Sequence, residues 1–273
     1  MLMKKLFVFS VLAGIAGLSR GATPDQNVPQ IVERSQHEVT GDWNHAPEYS
    51  FVERDADSKQ NSLSSVKTYQ VLQIEGSPYN RLIAIADEPL QAAQQAEEER
   101  KLRNEIQKRQ GQSEQDRAKR VEKYLKDRRQ DRALLTGMIE AFDFRFAGEE
   151  MLDGRDCWIL DATPKPGYQP TSREAKVLAG MRGRLWVDKA TYHWVKVQAE
   201  SFQNVSLGFF AKVRPGSRFL LEQEQVAGGI WLPKHLNTNV SASAFGFNHD
   251  FVHDETFSNY KPMPETLALL GSR

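Results

Sequence analysis

Phe142, Phe144 and Phe146 fall on one side of an extended chain and Asp143 and Arg145 on the other, because successive side chains of a strand point to opposite faces. The same period of two continues almost to the C-terminus, cut into segments by turn residues. Asp153-Gly154 ends one run, and Cys157 to Ala162 forms the next. Pro164, Pro166, Gly167 and Pro170 mark a loop, followed by a short basic helix or turn from Ser172 to Met181. Arg184 to Asp188 and Tyr192 to Phe202 read as a hairpin around Lys189, Ala190 and Thr191. Asn204 to Val213, Arg218 to Val226 and Trp231 to Phe247 continue the meander, and Phe251 to Tyr260 closes it. Within Trp231 to Phe247, the residues Leu232, Leu236, Val240, Ala242 and Ala244 form an inward face that Thr238 interrupts.

The N-terminal half is patterned differently. Ile31, Val32, Ser35 and Val39 give one modest apolar stripe to a short helix between Pro29 and Trp43. Tyr49 to Arg54 reads as a first strand and Asp55 to Ser65 as a polar loop. A hairpin follows, Lys67 to Ile74 and Tyr79 to Ala86, around Glu75, Gly76, Ser77 and Pro78. From Asp87-Glu88-Pro89 the chain predicts a helix, since proline fits the first turn and acids suit the N-terminal dipole. Gly111 breaks it, and Ser113 with Asp116 resembles a capping box that restarts a helix through Met138. Only Leu134, Leu135, Met138, Ile139 and Phe142 have the spacing of a firmly buried face, so the hairpin is expected to protrude and embed at its C-terminal end.

Composition narrows the function classes. Lys plus Arg equals Asp plus Glu at 36 each, so net charge supplies no argument for nucleic acid or an anionic surface. Between Gln94 and Arg132, 13 basic residues face 9 acidic ones, but no stacking aromatics are interleaved; the stretch reads as a solvated charged face, and nucleic acid is not an expected partner. Lys4 and Lys5, the apolar run Leu6 to Leu18 and the small residues Ser19, Gly21 and Ala22 have the form of a secretory signal peptide, assigned to residues 1–21. The only cysteine, Cys157, lies far from that segment, in a strand-like run. A lipidated N-terminus and an internal disulfide framework are therefore not expected, and Cys157 reads as a buried thiol. Residues 22–273 are expected to form one β-rich domain with an inserted helical hairpin at 88–140, exported to the periplasm as a monomer.

Three phrases carry a resemblance: Glu149 to Leu160, Gly183 to Lys189 with its Trp186-Val187-Asp188, and Gly229-Ile-Trp-Leu-Pro233. In the order of these features the chain resembles the LolA/LolB-like superfamily of periplasmic lipoprotein carriers and their outer-membrane lipoprotein-sorting relatives. The resemblance covers residues 141–262, and 45–86 more weakly. It implies an α+β fold: a strongly curved, incompletely closed antiparallel β-barrel covered by helices, with a hydrophobic cavity for acyl chains.

Chemistry elsewhere is sparse. His249 and His253 share a strand face but stand about 13 Å apart along it, too far for one ion, so no metal and no cofactor is expected. Glu149 and Glu150, being adjacent on a strand, point to opposite faces and do not make an acid–base pair. No nucleophile elbow or phosphate-binding glycine loop is present outside the leader, so the chain is not read as an enzyme. The expected function is a non-enzymatic carrier of lipid or lipoprotein. Phe142, Phe144, Phe146, Trp158, Trp186 and Trp194 are the candidate lining of its cavity. Each methylene buried there contributes about 0.8 kcal/mol. A carrier must leave part of its cargo loosely packed, because full enclosure of three acyl chains exceeds the practical ceiling of about 20 kcal/mol. The alternative is an envelope-sensing or protein-interaction module on the same fold, docking an envelope protein partner through the charged hairpin.

Overall fold

The computed structural model describes residues 27–59, 62–170, 175–206, 211–244 and 247–263. The leader assigned from sequence lies outside them. The chain runs α1 (Val28–His45), β1 (Tyr49–Lys59), β2 (Ser62–Ile74), β3 (Ser77–Ile85), β4 (Glu88–Pro89), α2 (Ala92–Gln110), α3 (Glu114–Ala141), β5 (Phe142–Leu152) and β6 (Arg155–Pro164). A 3₁₀ helix, Ala175–Gly180, leads into β7 (Met181–Asp188) and β8 (Trp194–Ser201). Then come β9 (Val205–Ser206), β10 (Ala211–Val213), β11 (Arg218–Gln225), β12 (Trp231–Ala244) and β13 (Phe247–Pro262).

Among the described residues all 13 strands join one antiparallel sheet in the order β4-β3-β2-β1-β13-β12-β11-β8-β7-β6-β5, with β10 beside β12 and β9 beside β10. The terminal strands β4 and β5 do not pair with each other, so the ladder stays open: a curved, incompletely closed barrel with helices, as the resemblance implied. Register shifts after Phe146, Trp186 and Glu222 add residues to one strand of a pair, and such bulges bend and twist a sheet locally.

Three local outcomes differ from the sequence reading. Asp55 to Ser65 is no polar loop: β1 continues to Lys59, and β2 begins at Ser62. Its acids alternate with Ala56, which is buried, and β13 and β2 supply hydrogen-bonding partners on either side. Glu88-Pro89 is not a helix start but a two-residue strand pairing with Ala84 and Ile85 after a turn at Ala86 and Asp87, both at positive φ; α2 begins at Ala92. The third difference concerns the helical hairpin.

Its tip does not stand free. α2 runs back along β3, and Arg109 near its C-terminus is buried. There Arg109 donates to the carbonyl oxygens of Ile74 and Ser77, both at 2.8 Å, and of Pro78 at 3.2 Å. Arg120, on α3, donates to Ser77 Oγ at 2.6 Å and the Glu75 carbonyl at 2.9 Å. Both arginines thereby clasp the β2–β3 turn. Gly76 lies in that turn at φ +82°, and a Cβ there would meet Val121 of α3 at 3.2 Å, so glycine serves both the backbone and the close approach. The hairpin connects β4 to β5, the two ends of the strand order, and so spans the gap the ladder leaves open.

Candidate functional site

Following register partners from β5 across the sheet gives one rung on one face: Phe146, Leu160, Leu185, Val197, Leu221, Leu236, Glu255, Asp55, Lys67 and Ile85. Its chemistry changes between β12 and β13. From β5 to β12 every position is apolar; then a glutamate, an aspartate and a lysine follow. A neighbouring rung repeats the change: Phe144, Ala162, Gly183, Ala199, Phe219 and Thr238 lead to His253 and Asp57.

α1 covers the apolar half. Ile31 and Val39 are buried against Leu160, Leu185, Val187, Trp194 and Val197, and Ser35 lies between them on the same helical stripe. The Trp194 indole donates to Ser35 Oγ at 3.2 Å, which itself donates to the Val32 carbonyl at 2.9 Å. Arg34 lies over the Tyr192 ring at 5.0 Å and donates to its hydroxyl at 3.1 Å. His193 is buried within 3.2 Å of Asp42, tying the C-terminal end of α1 to the sheet. Around this packed centre Val28, Val32, Phe144, Phe146, Trp158 and Phe219 are only partly buried, leaving an apolar margin.

Five of the six residues singled out from sequence meet on this face. Phe142 is buried beside the 3₁₀ helix with Ala175, Leu178 and Met181. Phe144 and Phe146 pack at the edge of the α1 core, Trp158 against Tyr192 at 5.2 Å between ring centroids, and Trp194 beneath α1. Trp186 stands on the opposite face. Trp158 pairs in register with Val187, whereas Trp186 pairs with Ile159, so the two tryptophans point apart. Trp186 packs with Cys157, Val195 and Trp231, and its indole donates to Glu150 at 2.8 Å. Burial, with Asp188 and Asp156 nearby, pushes the Cys157 thiol up to about 11, which leaves it inert as a nucleophile at neutral pH.

The β13–β1 half of the helix-side face carries a cluster the sequence reading did not assemble. Glu53, Asp55 and Asp57 lie two residues apart along β1, and His253 and Glu255 face them from β13. His253 Nδ1 is 2.9 Å from Asp57 and 3.4 Å from Asp55, and its Nε2 is 3.1 Å from Glu255. Burial, then the nearby carboxylates of Glu255 and Asp55, raises Glu53 to about 7. Phe257 stands opposite Glu53 in the register, and Phe51 packs against both Phe257 and Tyr260. The available signal was the period-two spacing of acids in Glu53-x-Asp55-x-Asp57, hidden once that stretch was read as loop.

A cavity of about 970 Å³ is lined by the charged residues Arg145, Asp161, Arg182, Arg184, Glu200 and Arg218 together with Phe144, Ala162, Ala199, Phe219 and Leu220. Arg145 and Arg184 share Asp161 at 3.3 and 2.7 Å, and Arg182 pairs with Glu200 at 2.6 Å. Gly183 lies between the two β7 arginines, where a Cβ would come within 2.6 Å of the Gln198 carbonyl oxygen.

No family model matches the chain, and no curated protein matches it. Solved structures are similar to it. A putative outer membrane lipoprotein-sorting protein domain from Vibrio parahaemolyticus shares 11% identity over 84% of this chain and 92% of its own, with a TM-score of 0.32. A LolA superfamily protein from Nitrosomonas europaea shares 12% over 88% and 96%, TM-score 0.31. The Pseudomonas aeruginosa MucA/MucB complex supplies a third, at 11% over 88% and 97%, TM-score 0.23. At these scores the fold class stands on the sheet's own topology rather than on the likenesses.

Proposed function

We propose that this protein is a non-enzymatic periplasmic carrier of lipid or lipoprotein that receives acyl chains on the helix-side face of its β5–β12 half. One observation carries the reading: an uninterrupted apolar rung from Phe146 to Leu236, bordered by partly buried Phe144, Trp158 and Phe219 in a sheet that does not close. α1 occupies the centre of that face, so an acyl chain is taken up at its margin or by displacing it. The site residues are Phe142, Phe144, Phe146, Trp158 and Trp194, with Trp186 removed to the other face. Among the described residues no helix is long and apolar enough to cross a membrane. Native mass spectrometry of protein taken from the periplasm tests the reading. Acyl-bearing adducts are expected on the parent and lost from Phe144→Ser/Phe146→Ser, and a lipid-free parent contradicts it.

A second reading has its own observation. The α2–α3 hairpin is pinned at both ends of its reach, by Arg109 and Arg120 at the tip and by packing at Met138 and Ala141, so it presents a fixed charged surface. Such a surface suits an envelope protein partner of complementary charge pattern. Capture of that partner by a lipid-free protein, lost when surface charges of α2 and α3 are reversed, distinguishes it from the carrier.

A further inference from the structure

Asp55, Asp57 and His253 meet only because β1 and β13 pair. Two residues apart on β1, the aspartates project to the same side, and His253 stands directly opposite Asp57. One donor atom from each of the three lies within 4.8 Å of the others. The His253 Nδ1 distances to the two carboxylates, 2.9 and 3.4 Å, are close to the spacing of ligands around one small cation, since bonds of about 2 Å at tetrahedral angles separate ligating atoms by about 3.4 Å. The grouping contains an imidazole, so it is more than a patch of acids.

Two further observations bear on cation binding. Asp55 Oδ1 is buried and accepts no hydrogen bond, its nearest positive neighbour being His253 Nδ1 at 3.4 Å, and a cation bound there would satisfy it. Around the trio stand Glu255, 3.1 Å from His253 Nε2, and Glu53 on the same side of β1. Among the described residues no lysine or arginine forms an ion pair with Glu53, Asp55 or Glu255; Lys67 stands opposite Asp55 in the register, and His253 is the group in direct contact with Asp55 and Glu255. The side chains of Asp55 and His253 are 29% and 34% exposed, which leaves a path for an ion and for water to complete its shell. Glu255 on the far nitrogen is placed to orient the ring, as second partners of metal-bound histidines do.

We propose that Asp55, Asp57 and His253 form a binding site for one divalent first-row transition ion of the Zn²⁺ type. The imidazole nitrogen favours that class over Mg²⁺ and Ca²⁺, which take oxygen donors. The site is independent of the carrier reading, because it stands on the acidic half of the face and uses none of the aromatic residues. It also replaces the pairing considered along the sequence: His253 finds its co-ligands across strands, not four residues away at His249.

The test uses the full chain after treatment with chelator. Calorimetric titration with ZnCl₂ is expected to show one saturable equivalent per chain, and one equivalent should raise Tm, whereas Mg²⁺ at the same concentration does neither. Asp55→Asn and His253→Gln should each weaken Zn²⁺ binding about 10-fold or more. Asp55→Asn removes one of several like charges, so a folded variant is expected. As a second readout, the chain has 6 histidines, and the ring resonances missing from His253→Gln should be the ones that move when Zn²⁺ is added to the parent. Zn²⁺ binding that is absent, or unchanged in both variants, overturns the proposal.

Discussion

One face of one sheet holds two chemistries. Across β5 to β12 it is aromatic and aliphatic and lies under α1; across β13 and β1 it carries four carboxylates around one imidazole. The backbone geometry is the same in both halves, so the difference lies in the side chains and in what covers them. The apolar half is held by burial, and removing volume there destabilises it. The acidic half is held by strand pairing in spite of repulsion among its side chains, and removing a charge there relieves it. Neighbouring strands can therefore respond to mutation with opposite sign, and that is the quickest way to probe the boundary between Leu236 and Glu255.

The largest effect is expected from Trp194→Ala. Trp194 is 2% exposed beneath α1, and its truncation should cost about 3–5 kcal/mol in denaturant unfolding. A loss under ~0.5 kcal/mol, the range of an exposed substitution, would mean that α1 does not seal the apolar half. Arg109→Ala comes next. It leaves the Ile74, Ser77 and Pro78 carbonyls without their donor, and the cost is roughly 2–3 kcal/mol by analogy with lost charged hydrogen bonds. Hydrogen exchange should rise in α2 and the β2–β3 turn first, and unchanged protection there would show that the hairpin is held by something else. Ser35→Ala is expected to cost about 1 kcal/mol through the Trp194 indole bond. Glu53→Gln should act the other way, stabilising the metal-free protein by roughly 0.2–1 kcal/mol through relief of repulsion from Glu255 and Asp55. A measured destabilisation would remove the contrast between the halves.

The smallest expected effect is one of pH. Burial alone would raise the Glu105 carboxyl, but hydrogen bonds from Arg109 and Lys108 outweigh it and hold the group below its ordinary value. A carboxylate depressed in the folded state stabilises above its unfolded pKa, and that contribution disappears as pH falls through the folded one. Protection of the hairpin should therefore weaken on acidification below about pH 4. Glu105→Gln should flatten that dependence, and an identical acid profile in the variant would locate the titration elsewhere.

Much of the barrel could be read in advance because its strands bury one face and expose the other. Phe142 to Phe146, Cys157 to Ala162 and the hairpin about Lys189 follow a period of two and lie in strands. The α1 stripe was equally visible, since Ile31, Ser35 and Val39 repeat at helical spacing. What escaped has a physical reason in each case. β1 past Arg54 carries almost no apolar residues, and one of its two partners, β13, lies far away in sequence, so no apolar alternation marks it as extended. The arginine clasp joins side chains to main-chain carbonyls, and carbonyls leave no trace in residue type. Trp186 looked equivalent to Trp158, but only the strand register decides which face each takes, and a shift of one residue reverses it. The Asp55–Asp57–His253 grouping needed two strands almost 200 positions apart to pair, as Asp57 and His253 do at a separation of 196 residues.

The central claim is that hydrocarbon binds on the α1 side of the β5–β12 half. Photo-crosslinking with a diazirine-bearing fatty acid, read by peptide mapping, tests it most directly. Label is expected on α1, on β5 at Phe144 and Phe146 and on β6 at Trp158, with little on the surface around Trp186 and Arg184. Label concentrated on that opposite surface, or none above the level of a protein without such a face, would contradict the account.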